Sequence, residues 1–317
     1  MRVLFWGTPH FATPPLRALL GEGFDVVGVV TQPDRPQGRS RSTLVPSPVK
    51  EIALAEHLPV LQPERPRGDE FLAQLRTLAP DLSIVVAYGH ILPQAVIDLP
   101  PRGTLNIHAS LLPALRGAAP IQAAIRQGLT ETGVTIMRMV PALDAGPVLL
   151  RMPTPIVEHE TYGELQQRLA ELGALALIEA LALLEVGAAR EEPQDDALAT
   201  YAPKVEREDA RVDWTRPAAE IARVVRAYDP RPGAFTTLRD AEVKLFGARA
   251  VHGHGGDPGE VLGVDEAGLL VGAGDDAAVR VAYVHPAGRR RLAALDWAQG
   301  RGVAVGERMG GTASDER

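Results

Sequence analysis

The densest cluster of polar side chains in the sequence follows a short apolar run at residues 104–108. Asn106 and His108 stand two positions apart, and Ser110 comes next in the same cluster. If the run is a β-strand, Asn106 and His108 share one of its faces. An amide can donate a hydrogen bond to a developing oxyanion, and an imidazole can hold or release a proton near neutral pH. The pair therefore suits acyl transfer.

Acyl transfer to an amine also needs a group that takes the proton the amine loses. Asp144 is the candidate, because it lies in a Leu-Asp-Ala-Gly loop between two apolar runs. A structural interpretation stays open for all three residues. Asn106 and His108 would then hydrogen-bond loop backbone, and Asp144 would be an ordinary turn residue before glycine.

The composition limits the class of protein. The chain has 317 residues, of which 45% are hydrophobic and 23% charged, and its formal net charge is −7. These values are typical of a soluble globular enzyme with about two domains. The absence of cysteine excludes disulfides, a thiolate nucleophile and a Cys-ligated metal. No run approaches the ~20 apolar residues of a membrane helix, and no signal peptide is evident, so a cytoplasmic location is expected.

An α/β fold with a mostly parallel sheet is predicted to position the polar cluster. Successive apolar runs separated by helical stretches indicate strands that are buried on both faces. At the carboxyl end of such a strand, Asn106 and His108 would face the crevice where open α/β sheets bind ligands. The expected strands span residues 2–6, 25–31, 59–61, 81–87, 104–108, 133–140 and 147–152.

The sequence changes character after residue 186. A Thr161-x-x-Glu164 capping box begins a helix that is predicted to end there, and residues 187–203 lose the helical period. A helix at 217–228 and five short strand-like runs then predict a small β-barrel. The predicted bounds are a catalytic domain at 1–189, a linker at 190–203, a second domain at 204–308 and a disordered tail at 309–317.

Other features carry less chemistry. Neither GxGxxG nor a P-loop follows the first strand, which disfavours a dehydrogenase. His252 and His254 have no evident third and fourth ligands nearby, so no metal is expected. Neither half of the chain is basic, so a nucleic-acid partner would have to contact local patches.

Three segments together resemble the folate-dependent formyltransferases: Asn106-x-His108-x-Ser-Leu-Leu-Pro113, Arg116-Gly-Ala-Ala-Pro-Ile121 and Leu143-Asp144-x-Gly146. The resemblance implies a Rossmann-like catalytic domain in which Asn106, His108 and Asp144 form the catalytic trio. It also implies that 10-formyltetrahydrofolate is the co-substrate. The residues expected to help bind the reduced folate are Ser110, Leu111, Leu112 and Pro113.

Further features resemble the family members that act on initiator methionyl-tRNA. The Pro-rich loop at 31–50 resembles a loop that reaches the acceptor stem in those members, and it contains Arg39 and Arg41. Residues 131–137, the Thr-Tyr-Ala-x-Lys204 segment and an OB-like second domain add to the resemblance. It implies tRNA contacts at Arg39, Arg41 and Lys204, no metal, a monomeric state and a role in translation initiation.

The sequence departs from the family pattern at several positions, and two other functions remain as alternatives. Ala109 stands where the family usually has glycine, and Ala114 stands where a bulkier or basic residue is expected. Pro147 replaces the acidic residue that often follows the Asp-x-Gly motif. A sibling formyltransferase acting on a sugar nucleotide or a glycinamide nucleotide would keep the trio without needing the loop or the second domain. A non-catalytic nucleic-acid-binding protein would use the second domain but not the trio.

Overall fold

The computed structural model describes residues 1–37 and 43–310. The chain divides into two compact units. The first comprises residues 1–120, 131–155 and 166–203, and the second comprises 121–130, 156–165 and the chain from Lys204 onward. The second unit thus takes two segments from the region expected to be catalytic. The domain bounds given above stay a prediction, and the tail beyond residue 310 lies outside the described residues.

Strands and helices alternate through the first two thirds of the chain. The strands are β1 (Arg2–Gly7), β2 (Asp25–Val30), β3 (Arg35–Gln37), β4 (Thr43–Val45), β5 (Val60–Leu61), β6 (Leu82–Val86), β7 (Thr104–His108), β8 (Glu131–Arg138) and β9 (Val148–Pro155). The helices are α1 (Thr13–Gly21), α2 (Pro48–Ala55), α3 (Asp69–Thr77), α4 (Gln94–Ile97), α5 (Pro120–Gln127) and α6 (Tyr162–Glu185).

The first unit is built on a seven-stranded sheet with the order β5-β2-β1-β6-β7-β8-β9. The first five strands in this order run parallel, and β8 and β9 complete the sheet in antiparallel pairs. This confirms the predicted mostly parallel sheet. His108 is the last residue of β7 and therefore lies at the carboxyl end of a parallel strand, where such sheets bind ligands.

The sheet is held by apolar packing on both faces, as the uninterrupted apolar strands predict. The Trp6 ring meets Phe71 and Tyr88 edge to face, and its indole N–H donates to the buried Ser83 hydroxyl at 3.2 Å. Helix α6 crosses close to β7 at Gly173, where a Cβ would lie only 3.1 Å from the Ile107 side chain. That contact supports the strand segment between Asn106 and His108.

The predicted capping box at the start of α6 is confirmed. The Thr161 backbone N–H donates to the Glu164 carboxylate at 2.9 Å, and the Glu164 N–H donates to the Thr161 hydroxyl at 3.3 Å. The hydrogen bonds that the carboxylate accepts from Thr161 hold the pKa of Glu164 below its usual range. The helix then runs without interruption to Glu185, one residue short of the predicted end.

Regular structure occupies both ends of the 31–50 segment, which the sequence predicted to be an irregular loop. β3 and β4 pair in antiparallel orientation, and Ser47 caps α2 by accepting the Lys50 N–H at 3.1 Å. The Lys50 ammonium lies 2.6 Å from the Asp34 carboxylate. Lys50 therefore belongs to the fold and is not a free cation of the loop. Arg39 and Arg41 lie outside the described residues.

The second unit contains a small antiparallel β domain, in agreement with the closely spaced strands. Its described strands pair in the order β10-β11-β14-β13-β12, with β15 on β14. Trp214, Tyr228 and Trp297 lie in its apolar core. Among the described residues, no helix combines the length and apolarity needed to cross a membrane. The elements are α7 (Ala218–Ala227), β10 (Ala234–Leu238), β11 (Ala241–Val251), β12 (Val261–Asp265), β13 (Gly268–Gly272), β14 (Ala278–Pro286), β15 (Leu292–Ala293) and α8 (Ala294–Gln299).

Candidate active site

His108 is a buried ring with both nitrogens facing protein oxygens. Its side chain is 6% exposed, and Nε2 lies 3.0 Å from the carbonyl oxygen of Leu115. Because a carbonyl oxygen only accepts, Nε2 carries the hydrogen in this contact. Nδ1 lies 3.7 Å from Oδ2 of Asp144, which is longer than a hydrogen bond. Nδ1 therefore lies close to the carboxylate without a hydrogen bond to it.

Asn106 lies two residues before His108 on β7, so the two side chains share a face of the strand. Its backbone pairs with Val85 on one side and Met137 on the other. The Asn106 side chain is half-buried and makes no hydrogen bond to another described residue. Its amide N–H is thus available to a ligand, and the local geometry does not use it for loop backbone.

Asp144 lies in the turn between β8 and β9 with a left-handed backbone, at a φ of 47°. Its carboxylate oxygen Oδ2 accepts the backbone N–H of Gly117 at 2.8 Å and is the same oxygen that faces His108. The other oxygen, Oδ1, accepts no hydrogen bond from a described residue. The structure therefore brings Asp144 and His108 together and leaves one carboxylate oxygen without a donor among the described residues.

The loop that follows the polar cluster is fixed by two unusual backbone conformations. Leu115, whose carbonyl receives the His108 N–H, has a φ of 60°, and Gly117 has a φ of 119°. A Cβ on Gly117 would lie 2.6 Å from the carbonyl oxygen of Ala202. Only glycine fits there, because both the conformation and the close approach exclude a side chain. The sequence motif contains Gly117 but gave no sign of this role.

The Ser110–Pro113 segment uses most of its side-chain atoms within the protein. The Ser110 hydroxyl donates to the Ala114 carbonyl at 2.6 Å, and the 1% exposed Leu112 packs against Met137 and Val148. Leu111 and Pro113 are partly exposed. Backbone groups of this segment are engaged as well: the Ser110 carbonyl accepts from the Thr135 hydroxyl at 2.7 Å, and the Leu112 N–H donates to that hydroxyl at 3.1 Å. The folate-binding role of Ser110, Leu111, Leu112 and Pro113 stays a prediction.

The remaining candidates lie outside this cluster. Lys204 is exposed at the point where the chain enters the second unit, and its tRNA contact stays a prediction. His252 and His254 are exposed, and Nδ1 of His254 lies 3.0 Å from the Gly253 carbonyl. Across residues 1–37 and 43–310, no group of three His, Cys, Asp or Glu side chains could hold a metal ion.

Comparisons with known proteins identify the family of this chain. Residues 1–181 match the model of the formyl transferase family, and residues 204–302 match the model of the formyl transferase C-terminal domain. A methionyl-tRNA formyltransferase of Pseudomonas fluorescens (strain SBW25) is 51% identical over 289 residues, which cover 91% of this chain and 90% of that protein. The chain belongs to the methionyl-tRNA formyltransferase family. A second member, from Pseudomonas putida (strain GB-1), is 50% identical and is covered over 89% of its length.

Two solved structures share the fold of this methionyl-tRNA formyltransferase family member. HypX from Aquifex aeolicus, solved in complex with tetrahydrofolic acid, is 25% identical with a TM-score of 0.65. The match covers 93% of this chain and 46% of HypX, so the chain spans about half of that protein. The sugar 3N-formyltransferase WlaRD has a TM-score of 0.65 and 15% identity, with 99% of its length covered.

The Gly117 contact generates a prediction about activity. Gly117→Ala should shift the loop whose N–H holds Asp144, because the added Cβ meets backbone and the left-handed conformation costs about 1–3 kcal/mol. We expect kcat for formyl transfer to fall by roughly 10-fold or more, since small displacements of catalytic groups have large effects. Steady-state kinetics measures the fall in kcat, and urea unfolding measures the loss of stability.

Gly187→Ala is the matched control. Gly187 also has a left-handed backbone, at a φ of 69°, but an added Cβ there meets nothing within 4 Å. It should lose some stability and keep its kcat. A Gly117→Ala enzyme that is as active as the Gly187→Ala control would show that the Gly117 loop does not position the site.

Proposed function

We propose that this chain transfers the formyl group of 10-formyltetrahydrofolate to the α-amino group of methionine on initiator tRNA, in the cytoplasm and as a monomer. One observation carries the proposal: the Asn106 amide, which makes no hydrogen bond to another described residue, lies on the same strand face as a His108 ring that is paired with Asp144. This donor, acid and base set is the one that acyl transfer to an amine requires.

The first step forms the new C–N bond. The neutral amine donates its lone pair to the formyl carbon, and the carbonyl π electrons move to oxygen, which becomes an oxyanion. The Asn106 amide and Nδ1–H of His108 stabilise this charge, because donors fixed in a buried site need little reorganisation. For Nδ1 to donate while Nε2–H donates to Leu115, the ring must carry both protons. The Asp144 carboxylate at 3.7 Å then compensates the ring's charge.

The second step breaks the old C–N bond. The attacking nitrogen gives up a proton to Oδ1 of Asp144, directly or through one water, since that oxygen accepts no hydrogen bond from a described residue. The oxyanion reforms the carbonyl, the bond to the folate N10 breaks, and N10 leaves with a proton. We assign His108 as the donor of that proton. No covalent enzyme intermediate is required.

The acceptor is inferred from the relatives and from the second unit. The relatives at about half identity are named for methionyl-tRNA, and residues 204–302 match a C-terminal formyl transferase domain in addition to the catalytic one. We assign the folate to the first domain and the tRNA to the second domain with Lys204 and the 31–50 segment. The match to the sugar 3N-formyltransferase WlaRD covers 92% of this chain, so a second unit is compatible with a sugar nucleotide acceptor as well, and the names of the relatives carry the choice of acceptor.

A comparison of acceptors tests the proposed function. With 10-formyltetrahydrofolate as the donor, the purified chain should formylate charged initiator tRNA and should leave an amino sugar nucleotide and glycinamide ribonucleotide unchanged. Asn106→Ala should lower kcat on the tRNA by about 100- to 1000-fold, as expected for loss of one oxyanion donor. Preferred formylation of either nucleotide would contradict the acceptor. Full activity of Asn106→Ala would remove that residue from the mechanism.

The 31–50 segment generates a second prediction, about tRNA binding. If Arg39 and Arg41 contact phosphates, replacing both by alanine should raise KM for the tRNA and leave the donor's KM unchanged. It should also flatten the salt dependence of tRNA binding, because each lost phosphate contact reduces the log–log slope by about one. Formylation rates across a salt series measure both effects.

A double variant of Arg65 and Arg67 provides the control. These two arginines lie in another proline-containing loop, so their replacement changes the net charge equally at a different place. Equal salt slopes for the two double variants would show that the 31–50 segment acts only through overall charge. A wild-type slope for the Arg39 and Arg41 variant would exclude the proposed contact.

A further inference from the structure

Gln194 lies in the segment that the sequence predicted to be a linker. Its side chain makes N–H···O hydrogen bonds to three residues of the first unit. The amide Nε2 donates to the carbonyl oxygens of Asp144 at 2.8 Å and Gly146 at 2.7 Å. Its Oε1 accepts from Nε and Nη2 of Arg116 at 3.1 and 2.9 Å. Two donors and two acceptor positions are all that a glutamine amide has. The side chain is therefore fully engaged.

The groups that Gln194 joins are the two loops that hold the Asp144 carboxylate. On one side it binds the backbone of Asp144 itself, which has the left-handed φ of 47°. On the other side it binds the guanidinium of Arg116, the residue before the Gly117 whose N–H donates to Oδ2 of Asp144. One amide group thus ties the β8–β9 turn to the loop after β7.

The backbone on either side of Gln194 is hydrogen-bonded to the first residue of β9 and to the loop after β7. Glu192 exchanges two hydrogen bonds with Val148, each of 2.8 Å. Farther along, the Arg116 N–H donates to the Thr200 carbonyl and the Ala202 N–H donates to the Arg116 carbonyl, both at 2.8 Å. The Thr200 hydroxyl also accepts the Leu115 N–H at 2.9 Å. We call residues 192–202 the strap. Its two attachments fix where the Gln194 side chain can reach.

We propose that Gln194 is a positioning residue for formyl transfer. It holds the Asp144 turn so that Oδ2 of the carboxylate lies beside Nδ1 of His108. The inference rests on the proposed function, because it takes Asp144 as the group that manages the amine proton. Among the described residues, Gln194 makes no hydrogen bond to a side chain of the trio. Its effect must therefore pass through the Asp144 turn and the Arg116–Gly117 loop.

Two variants remove the tie in different ways. Gln194→Glu keeps the acceptor for Arg116 but cannot donate to the carbonyls of Asp144 and Gly146. Gln194→Met has a similar length with no charge and makes none of the four hydrogen bonds. Leu198→Glu is the matched control, since it adds the same negative charge to the strap at a side chain that is 65% exposed.

We expect Gln194→Glu and Gln194→Met each to lower kcat by roughly 10- to 100-fold, the size of effect that a small misplacement of a catalytic group produces. KM for the formyl donor and for the tRNA should stay within about twofold of wild type, because the substrate contacts are untouched. Leu198→Glu should keep both constants. A wild-type kcat in folded Gln194→Glu and Gln194→Met, or a loss confined to KM, would overturn the proposal.

A double-mutant cycle with Asp144→Asn separates positioning from a general loss of structure. If Gln194 acts through Asp144, Gln194→Met should cost nothing further in the Asp144→Asn background, as measured by single-turnover formyl transfer. If the two losses multiply, Gln194 acts elsewhere and the inference is wrong. If Asp144→Asn alone is fully active, the proposed function of Asp144 fails instead, and any effect of Gln194→Met then has another cause.

Discussion

One carboxylate oxygen organises the site. Oδ2 of Asp144 accepts the Gly117 N–H at 2.8 Å and lies 3.7 Å from Nδ1 of His108. The hydrogen bond from the Gly117 backbone fixes the position of the carboxylate. The contact with His108 places a negative charge beside the buried ring. A charged ring inside a protein is stable only where such compensation exists. The oxyanion donor that we assign to His108 therefore depends on where this single oxygen lies.

Local conformations that most residues avoid hold that oxygen in place. Asp144, Leu115 and Gly117 all have positive φ values, and such backbone persists only where the surroundings over-determine it. Here the surroundings are the strap and the antiparallel strands β8 and β9. The turn that presents the Asp144 carboxylate and the loop that presents the Leu115 carbonyl therefore each contain a strained non-glycine residue. The parallel strand β7 supplies Asn106 and His108 in ordinary extended geometry.

The regular part of the fold could be predicted because its information is local. Apolar runs without polar interruption identified the strands of the parallel sheet, and the Thr161 capping box identified the start of α6. The Asn106 and His108 pair followed from strand alternation. The strap could not be predicted, because the side chains of Gln194 and Thr200 bond to residues 48 to 85 positions away along the chain, in contacts that leave no periodic pattern. The pairing of β3 with β4 could not be predicted for a related reason: both strands are very short, and β3 contains a proline.

The most direct test of this account is the single-turnover rate of formyl transfer by Asp144→Asn with saturating donor and charged initiator tRNA. Asparagine keeps the shape and can still accept the Gly117 N–H, but it removes the charge beside His108 and the proton acceptor. The account predicts a rate lower by about 100- to 10,000-fold, the range for loss of a general base, with the melting temperature close to that of wild type. A folded Asp144→Asn enzyme whose rate lies within about twofold of wild type would contradict it.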